Sequence, residues 1–280
     1  MEKSISTKPL QVTFANLTKK LRANKRLFFT RFGDGDFFIL NNQGYKNHKF
    51  SEALRVEMEE AFLIDHPEYM RSTFLNYKDT NKDVQRFFFN YPENKELNDL
   101  LNTKYNKVDK WEFENCNSLP YYALYHSKEF VDFLNEFVRP KKKLLIGGVS
   151  PETAKKLYGN IDEYVQTPMK SAYNNIDEWW QELEEKSKKV DLILPACGAA
   201  SKVINKRLWN LGYDKHVLDI GSIIDAIDHL NTRKWIRLKG HKVNSLLLEE
   251  YQDKSFSFKI AYFKKELFYN LRRIWKNLLN

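Results

Sequence analysis

The stretch VDLILPACGAASKVINKRLWNLGYDKHVLDIG, Val190 to Gly221, decides how the chain is read. Val190 to Leu194 is a continuous apolar run, the composition of a strand buried on both faces. Pro195 to Ser201 is a loop of small residues. Gly198 opens a helix that runs to Leu211, and Gly212 ends it. His216 to Ile220 is a second buried strand, and Ile223 begins another helix. Strand, short loop, helix and strand within so short a span form a right-handed βαβ unit on a parallel sheet.

The same alternation extends upstream. Lys143 to Ile146 reads as a strand running into Gly147-Gly148. Ser150 and Pro151 then supply an N-cap and a first helical residue. Tyr164 to Gln166 is a short strand, and Ile176 to Lys188 a helix with Trp179, Trp180 and Leu183 inward. Nearer the N-terminus, Leu10 to Lys25 is a helix with Leu10, Phe14, Leu17 and Leu21 on one face. Arg26 to Phe32 is a buried strand that stops at the sharp break Gly33-Asp34-Gly35-Asp36. Ser51 caps a helix reaching Leu63, and Ser127 to Phe137 is another helix. Residues 64–125 have weak periodicity and read as short helices and loops. The expected fold is α/β: a Rossmann-like, mostly parallel sheet flanked by helices, with a basic C-terminal helical tail.

Composition agrees with a globular chain. It has 280 residues, 42% hydrophobic and 30% charged, which is enough to bury a full core. Met1 to Ser6 holds no apolar stretch of the signal-peptide kind. No run approaches the roughly 18 apolar residues of a membrane span. Two cysteines far apart suggest neither a disulfide framework nor a metal cluster, and so a reducing cytoplasm. The charge is uneven: residues 231–280 hold 12 Lys/Arg against 4 Asp/Glu, leaving 34 against 33 in residues 1–230. A near-neutral body argues against a nucleic-acid-binding face. We therefore divide the chain into a domain, 1–230, and a basic amphipathic segment, 231–280. Within that segment, Ile260, Phe263, Leu267, Leu271, Ile274, Trp275 and Leu278 share a helical face flanked by lysines and arginines. The pattern fits a peripheral helix on an anionic membrane surface, or a helix docked on the core with a solvated basic face.

In open parallel sheets, ligands sit beyond the C-terminal ends of the strands. Asp34 and Asp36 follow one such end; hard oxygen donors of this kind suit Mg²⁺ or Mn²⁺, although a solvated turn has the same spacing. Arg31 and the backbone at Gly33 stand beside them, and Arg31 could meet phosphate. The amides around Cys197, Gly198 and Ser201 begin a helix and favour phosphate, although an ordinary βα loop has the same composition. Asp219, at the next strand end, could bind a ribose or sugar hydroxyl or cap the following helix. Gly148 is a similar small-residue loop, and Lys170, with Tyr173 and Asn174, precedes a helix beside the same crevice. Cys197 reads as a small buried thiol more readily than as a nucleophile. His126 and His216 are candidate bases, or surface and capping residues. Neither a dinucleotide fingerprint nor a phosphate-loop lysine motif is present.

Taken in order, these blocks resemble the GT-D-type glycosyltransferase family. The family carries an Arg-Phe-Gly-Asp-Gly-Glu-like motif, here Arg31-Phe32-Gly33-Asp34-Gly35-Asp36. It also carries a Pro-Xaa-Xaa-Xaa-Ala-aromatic segment, here Pro168 to Tyr173, and the strand-loop-helix-Gly-Tyr-Asp-Ile-Gly block of Val190 to Gly221. The second acid is Asp where the family usually has Glu, and Ala196-Cys197-Gly198-Ala199 replaces its Gly-Pro-Thr-like residues. The resemblance implies a nucleoside-diphosphate sugar donor, UDP favoured, and a Mn²⁺ or Mg²⁺ ion at Asp34 and Asp36. It implies sugar transfer to a hydroxyl of a glycan or lipid-linked acceptor, as in polysaccharide biosynthesis. Two other readings of the residues compete with this one. They are a metal-dependent phosphotransferase or phosphohydrolase, and a non-catalytic basic module binding membrane or nucleic acid.

Overall fold

The structure is a computed structural model that describes residues 4–23, 25–44, 50–89 and 110–227, with Arg233, Trp235, Ile236, Val243, Leu247, Lys264 and Leu267. Eight strands form one sheet: β1 (Ser4–Thr7), β2 (Leu27–Arg31), β3 (Tyr69–Thr73), β4 (Lys110–Asn115), β5 (Lys143–Gly147), β6 (Glu163–Gln166), β7 (Leu192–Ala196) and β8 (His216–Leu218). Their order is β1-β4-β3-β2-β8-β7-β5-β6, and every neighbouring pair is parallel. All C-terminal strand ends therefore lie along one edge, with β2 and β8 adjacent near its middle.

The central strands are those with apolar runs. In β2 the first four residues are buried, and in β5 all five are. The helices α1 (Leu10–Ala23), α2 (Asp34–Leu40) and α3 (Glu52–Leu63) belong to the first half of the sheet. As expected, α1 buries Leu10, Phe14, Leu17 and Leu21, and α3 buries Leu54, Met58, Ala61 and Phe62. The Ser51 hydroxyl caps α3 by accepting from the Leu54 amide at 3.2 Å. The Phe62 ring meets Phe32, Phe37 and Phe113 at centroid distances of 5.1, 6.0 and 5.2 Å. Each such buried ring contributes about 1.5–3 kcal/mol. This aromatic knot ties α3 to β4 and to the segment that carries Asp34.

The structure departs from the sequence reading in five places. Residues 64–125 contain two strands, β3 and β4, and β1 precedes α1. The break at Asp34 is the first turn of α2, with Gly33 as N-cap. The strand read at Val190–Leu194 runs instead from Leu192 to Ala196, and its helix starts at Ala200. Trp179 and Leu183 face inward, whereas Trp180 is half-buried with Arg207 5.2 Å from its ring.

The remaining helices are α4 (Lys82–Phe88), α5 (Ser118–Tyr125), α6 (Ser127–Phe133, continued by a π turn to Val138), α7 (Pro151–Tyr158), α8 (Ile176–Ser187), α9 (Ala200–Asn210) and α10 (Ile223–Ile227). Of these, α9 is braced from two sides. Asn205 Nδ2 donates to Thr30 Oγ1 on β2 at 2.8 Å. Arg207 donates to both Glu57 oxygens on α3, at 2.9 and 2.6 Å. Among the described residues no helix is long and apolar enough to cross a membrane. The amphipathic segment 258–279 lies outside the described residues, apart from Lys264 and Leu267, both exposed.

Candidate active site

Arg31 ends β2 and turns into the crevice. Its Nε donates to the Cys116 carbonyl at 2.6 Å, and its Nη1 lies 3.6 Å from Asp219 Oδ1. The opposite wall is Gly221, at φ +76°, where a Cβ would lie 1.4 Å from Arg31 Nη1. Glycine is thus required there twice, by backbone conformation and by the guanidinium that crosses it.

Asp36 is buried in the first turn of α2. Its Oδ2 accepts from the Gly33 amide at 2.8 Å, which caps the helix, and lies 3.3 Å from Lys202 Nζ. Lys202, in the first turn of α9, also reaches Asp219 Oδ2 at 3.4 Å and the Gly198 carbonyl at 3.2 Å. Burial works to lower the Lys202 pKa, but the carboxylates of Asp36 and Asp219 outweigh it and hold it above the usual lysine value. Asp34 sits at the lip, its Oδ1 3.2 Å from Nη1 of the half-exposed Arg233. Beneath the cluster, burial pushes the Cys116 thiol up to about 12, with Arg31 pulling the other way and Asp34 and Asp36 adding to the rise. Three cations therefore face three carboxylates here, and the cluster has no net charge of its own. Arg31 and Arg233 are the two cations of the cluster with planar donor forks, the geometry suited to carboxylate or phosphate.

Of the residues singled out in the sequence, Arg31, Gly33, Asp34, Asp36 and Asp219 come together. Asp219 pairs with two cations rather than capping α10. Cys197, Gly198 and Ser201 form the next loop along the edge. There the Cys197 amide donates to Ser201 Oγ at 3.2 Å and the Ser201 amide to the Gly198 carbonyl at 3.1 Å. Small residues in this loop satisfy one another, leaving fewer donors for phosphate. The Cys197 thiol is buried and pushed up to about 12 by that burial, as a structural thiol would be.

Gly148 and Lys170 lie farther along the same edge. Met169 folds over Gly148, where a Cβ would lie 2.1 Å from its Sδ, and Lys170 is exposed beside it. Lys170 follows β6, four strands from β2, or roughly 19 Å at the usual strand spacing. Neither residue is part of the charged cluster. Tyr173 donates to Glu57 Oε1 at 3.0 Å and so belongs to the α3–α9 brace. His126 Nε2 lies 3.1 Å from the Tyr121 hydroxyl. His216 starts β8, at the opposite edge of the sheet, and burial lowers its pKa to about 4.

Three contributors escape the sequence reading, Lys202, Arg233 and the Cys116 carbonyl, while Gly221 closes the Asp-Ile-Gly block without its packing against Arg31 being foreseen. Lys202 looks like any helix-surface lysine among the 46 Lys/Arg of the chain. Its one signal is its position in the first turn after the small-residue loop.

A parallel sheet with a charged crevice at its C-terminal strand ends defines a Rossmann-like α/β fold with its ligand site in the usual place. The sequence profile described as glycosyltransferase GT-D fold matches residues 29–246, most of the chain and all of the cluster. The chain belongs to the GT-D glycosyltransferase family. Solved structures share the fold. One, a glycosyltransferase of domain of unknown function 1792 from Streptococcus sanguinis, is 20% identical with a TM-score of 0.61, over 80% of this chain and 84% of that one. A second, of the same kind of domain and described as a distinct glycosyltransferase fold, is 20% identical at a TM-score of 0.58, over 81% of each chain. No curated protein matches the sequence. Family membership sets aside the phosphotransferase and non-catalytic readings.

Proposed function

We propose that this chain transfers a sugar from a nucleoside-diphosphate sugar, UDP favoured, to a hydroxyl of a glycan or lipid-linked acceptor. The observation that carries the reading is the joining of Arg31, Asp36, Lys202 and Asp219 at the neighbouring ends of β2 and β8, inside the region matched by the family profile. Transfer to a hydroxyl breaks the bond from sugar to diphosphate, and negative charge grows on the leaving phosphate. Arg31 stands where a fixed guanidinium would meet that charge. Gly221 leaves the guanidinium room, and the Cys116 carbonyl orients it. Asp219 holds the far side of the same guanidinium and would face the donor sugar.

The residues present fit a divalent cation of the phosphate-bridging kind. Such ions need one or two carboxylates from the protein, with substrate phosphates and water completing the shell. Among the described residues no three carboxylate, histidine or cysteine groups are placed to hold a metal ion by themselves. The contacts of Asp36 fall on Oδ2, which leaves Oδ1, and Asp34 meets a half-exposed arginine across the lip. Asp34 and Asp36 would hold the ion. Bound Mn²⁺ or Mg²⁺ supplies Lewis-acid stabilisation of the departing diphosphate. A cytoplasmic location, with residues 258–279 against an anionic membrane surface, belongs to the same proposal.

A thermal-shift series with nucleoside diphosphates, with and without Mn²⁺, tests the reading directly. A ligand at about a hundredfold excess over its Kd adds about 2.7 kcal/mol of stability. Stabilisation by a nucleoside diphosphate that grows with Mn²⁺ supports the proposal. No stabilisation by any of them, at concentrations well above a millimolar Kd, counts against it.

A further inference from the structure

We infer that Lys202 is the site's built-in cation: a positioning residue that locks three crevice loops together and occupies a cation position between Asp36 and Asp219. This rests on the reading of the crevice as a donor site. An ammonium has three N–H donors. Lys202 is 5% exposed, and its Nζ meets three acceptors, the Gly198 carbonyl at 3.2 Å, Asp36 Oδ2 at 3.3 Å and Asp219 Oδ2 at 3.4 Å. These acceptors come from three different loops, after β7, β2 and β8. With every donor used, the ammonium has none to give a phosphate, so its role is to hold other groups in place.

What it holds matters to the proposed transfer. Asp36 Oδ2 is pinned by Lys202 and the Gly33 amide, and this fixes the direction of Oδ1. Asp219 is pinned by Lys202 on one oxygen, while Arg31 faces the other at 3.6 Å. The Lys202 stem is itself anchored, because Asn205 and Arg207 tie α9 to β2 and α3. Two buried carboxylates from opposing loops would otherwise repel each other or recruit a cation from solution. Lysine meets this need with a point charge on a thin stem. Arginine would bring a wider planar fork into a space lined by three fixed acceptors. A divalent ion held by Asp34 and Asp36 would then be the one exchangeable cation of the site, because the chain itself already fills the position between Asp36 and Asp219.

Lys202→Met tests this, since it keeps the stem and removes the charge. Three quantities would be measured: Mn²⁺ affinity without nucleotide, kcat, and KM for the sugar nucleotide. The expected result is Mn²⁺ binding at least tenfold tighter than in the unmodified protein, with kcat lowered about a hundredfold, the usual cost of a roughly 1 Å misplacement. KM should change less than kcat, and Lys202→Arg should not restore activity. If Lys202→Met does not fold, Lys202→Met combined with Asp219→Asn removes one charge of each sign; it should fold and bind Mn²⁺ no tighter than the unmodified protein. Mn²⁺ affinity and kcat both within twofold of the unmodified protein would overturn the inference, as would tighter Mn²⁺ binding by the paired variant. If the unmodified protein turns over no sugar nucleotide, the donor-site reading fails, while the Mn²⁺ comparison still tests the cation role of Lys202.

Discussion

Arg31 crosses the bare Cα of Gly221 so closely that a Cβ there would lie 1.4 Å from Nη1 and 2.4 Å from Cζ. Two strand ends that neighbour each other in the sheet are thus fitted around one guanidinium. The Cys116 carbonyl and Asp219 then fix its direction from either side.

Gly221→Ala should therefore act in two ways. The positive φ of +76° alone costs on the order of 1–3 kcal/mol for an alanine. The collision adds to this by displacing Arg31 and weakening nucleoside-diphosphate binding. In an Arg31→Ala background the same change should cost less stability, because only the backbone strain remains. A double-mutant cycle read by urea unfolding measures the difference. Strict additivity would show that the two residues do not constrain each other.

Arg233 is half-exposed although its partner Asp34 is largely buried, and an ion pair with one arm in solvent contributes little to stability. Arg233→Ala should shift unfolding by no more than about 0.5 kcal/mol. It should also lower the Mn²⁺ concentration needed for half-maximal activity, because a cation competing for Asp34 is removed. An unchanged Mn²⁺ requirement would mean that Asp34 is not a metal ligand.

The Phe62 ring joins the helix behind the site to Phe32 and Phe37, which flank the Asp34 turn in sequence and in space. Phe62→Ala should cost about 3–5 kcal/mol, and Phe62→Leu clearly less. Calorimetric Tm values for the two variants provide the check.

His216 gives the fold a pH dependence remote from the site. Burial lowers its folded pKa to about 4, against about 6.5 in the unfolded chain. Between those values the unfolded chain binds more protons, so stability falls as pH drops from about 6.5 towards 4. His216→Gln should flatten that part of the curve by about 2 kcal/mol between urea midpoints at pH 7 and pH 5. Activity per folded molecule should be unchanged, because β8 separates His216 from the crevice.

The central strands were legible because burial on both faces leaves an apolar run, as in Phe28-Phe29 or Leu144-Leu145-Ile146. The strands that escaped carry polar residues at positions only tertiary structure can satisfy. In β4, Glu114 is 6% exposed because Lys8 reaches it at 2.8 Å from the end of β1. No local pattern announces such a pair. The acids of the site were legible as a motif but not as a helix start, since the capping of Gly33 by Asp36 resembles a turn in sequence. Lys202, and the contact between Gly221 and Arg31, became visible only when β2, β7 and β8 were placed side by side. Their roles depend on distances between loops, which residue spacing along the chain does not encode.

The central claim, sugar transfer from a nucleoside-diphosphate donor at this crevice, is tested most directly by nucleoside-diphosphate release. Purified protein would be incubated with a panel of sugar nucleotides and Mn²⁺, beside Asp34→Ala and Asp36→Ala variants confirmed to be folded. The account predicts release from at least one donor, dependent on Mn²⁺ and lowered at least a hundredfold in each variant, on the scale of losing one preorganised charge contact. Turnover and metal dependence unchanged in both variants would contradict it.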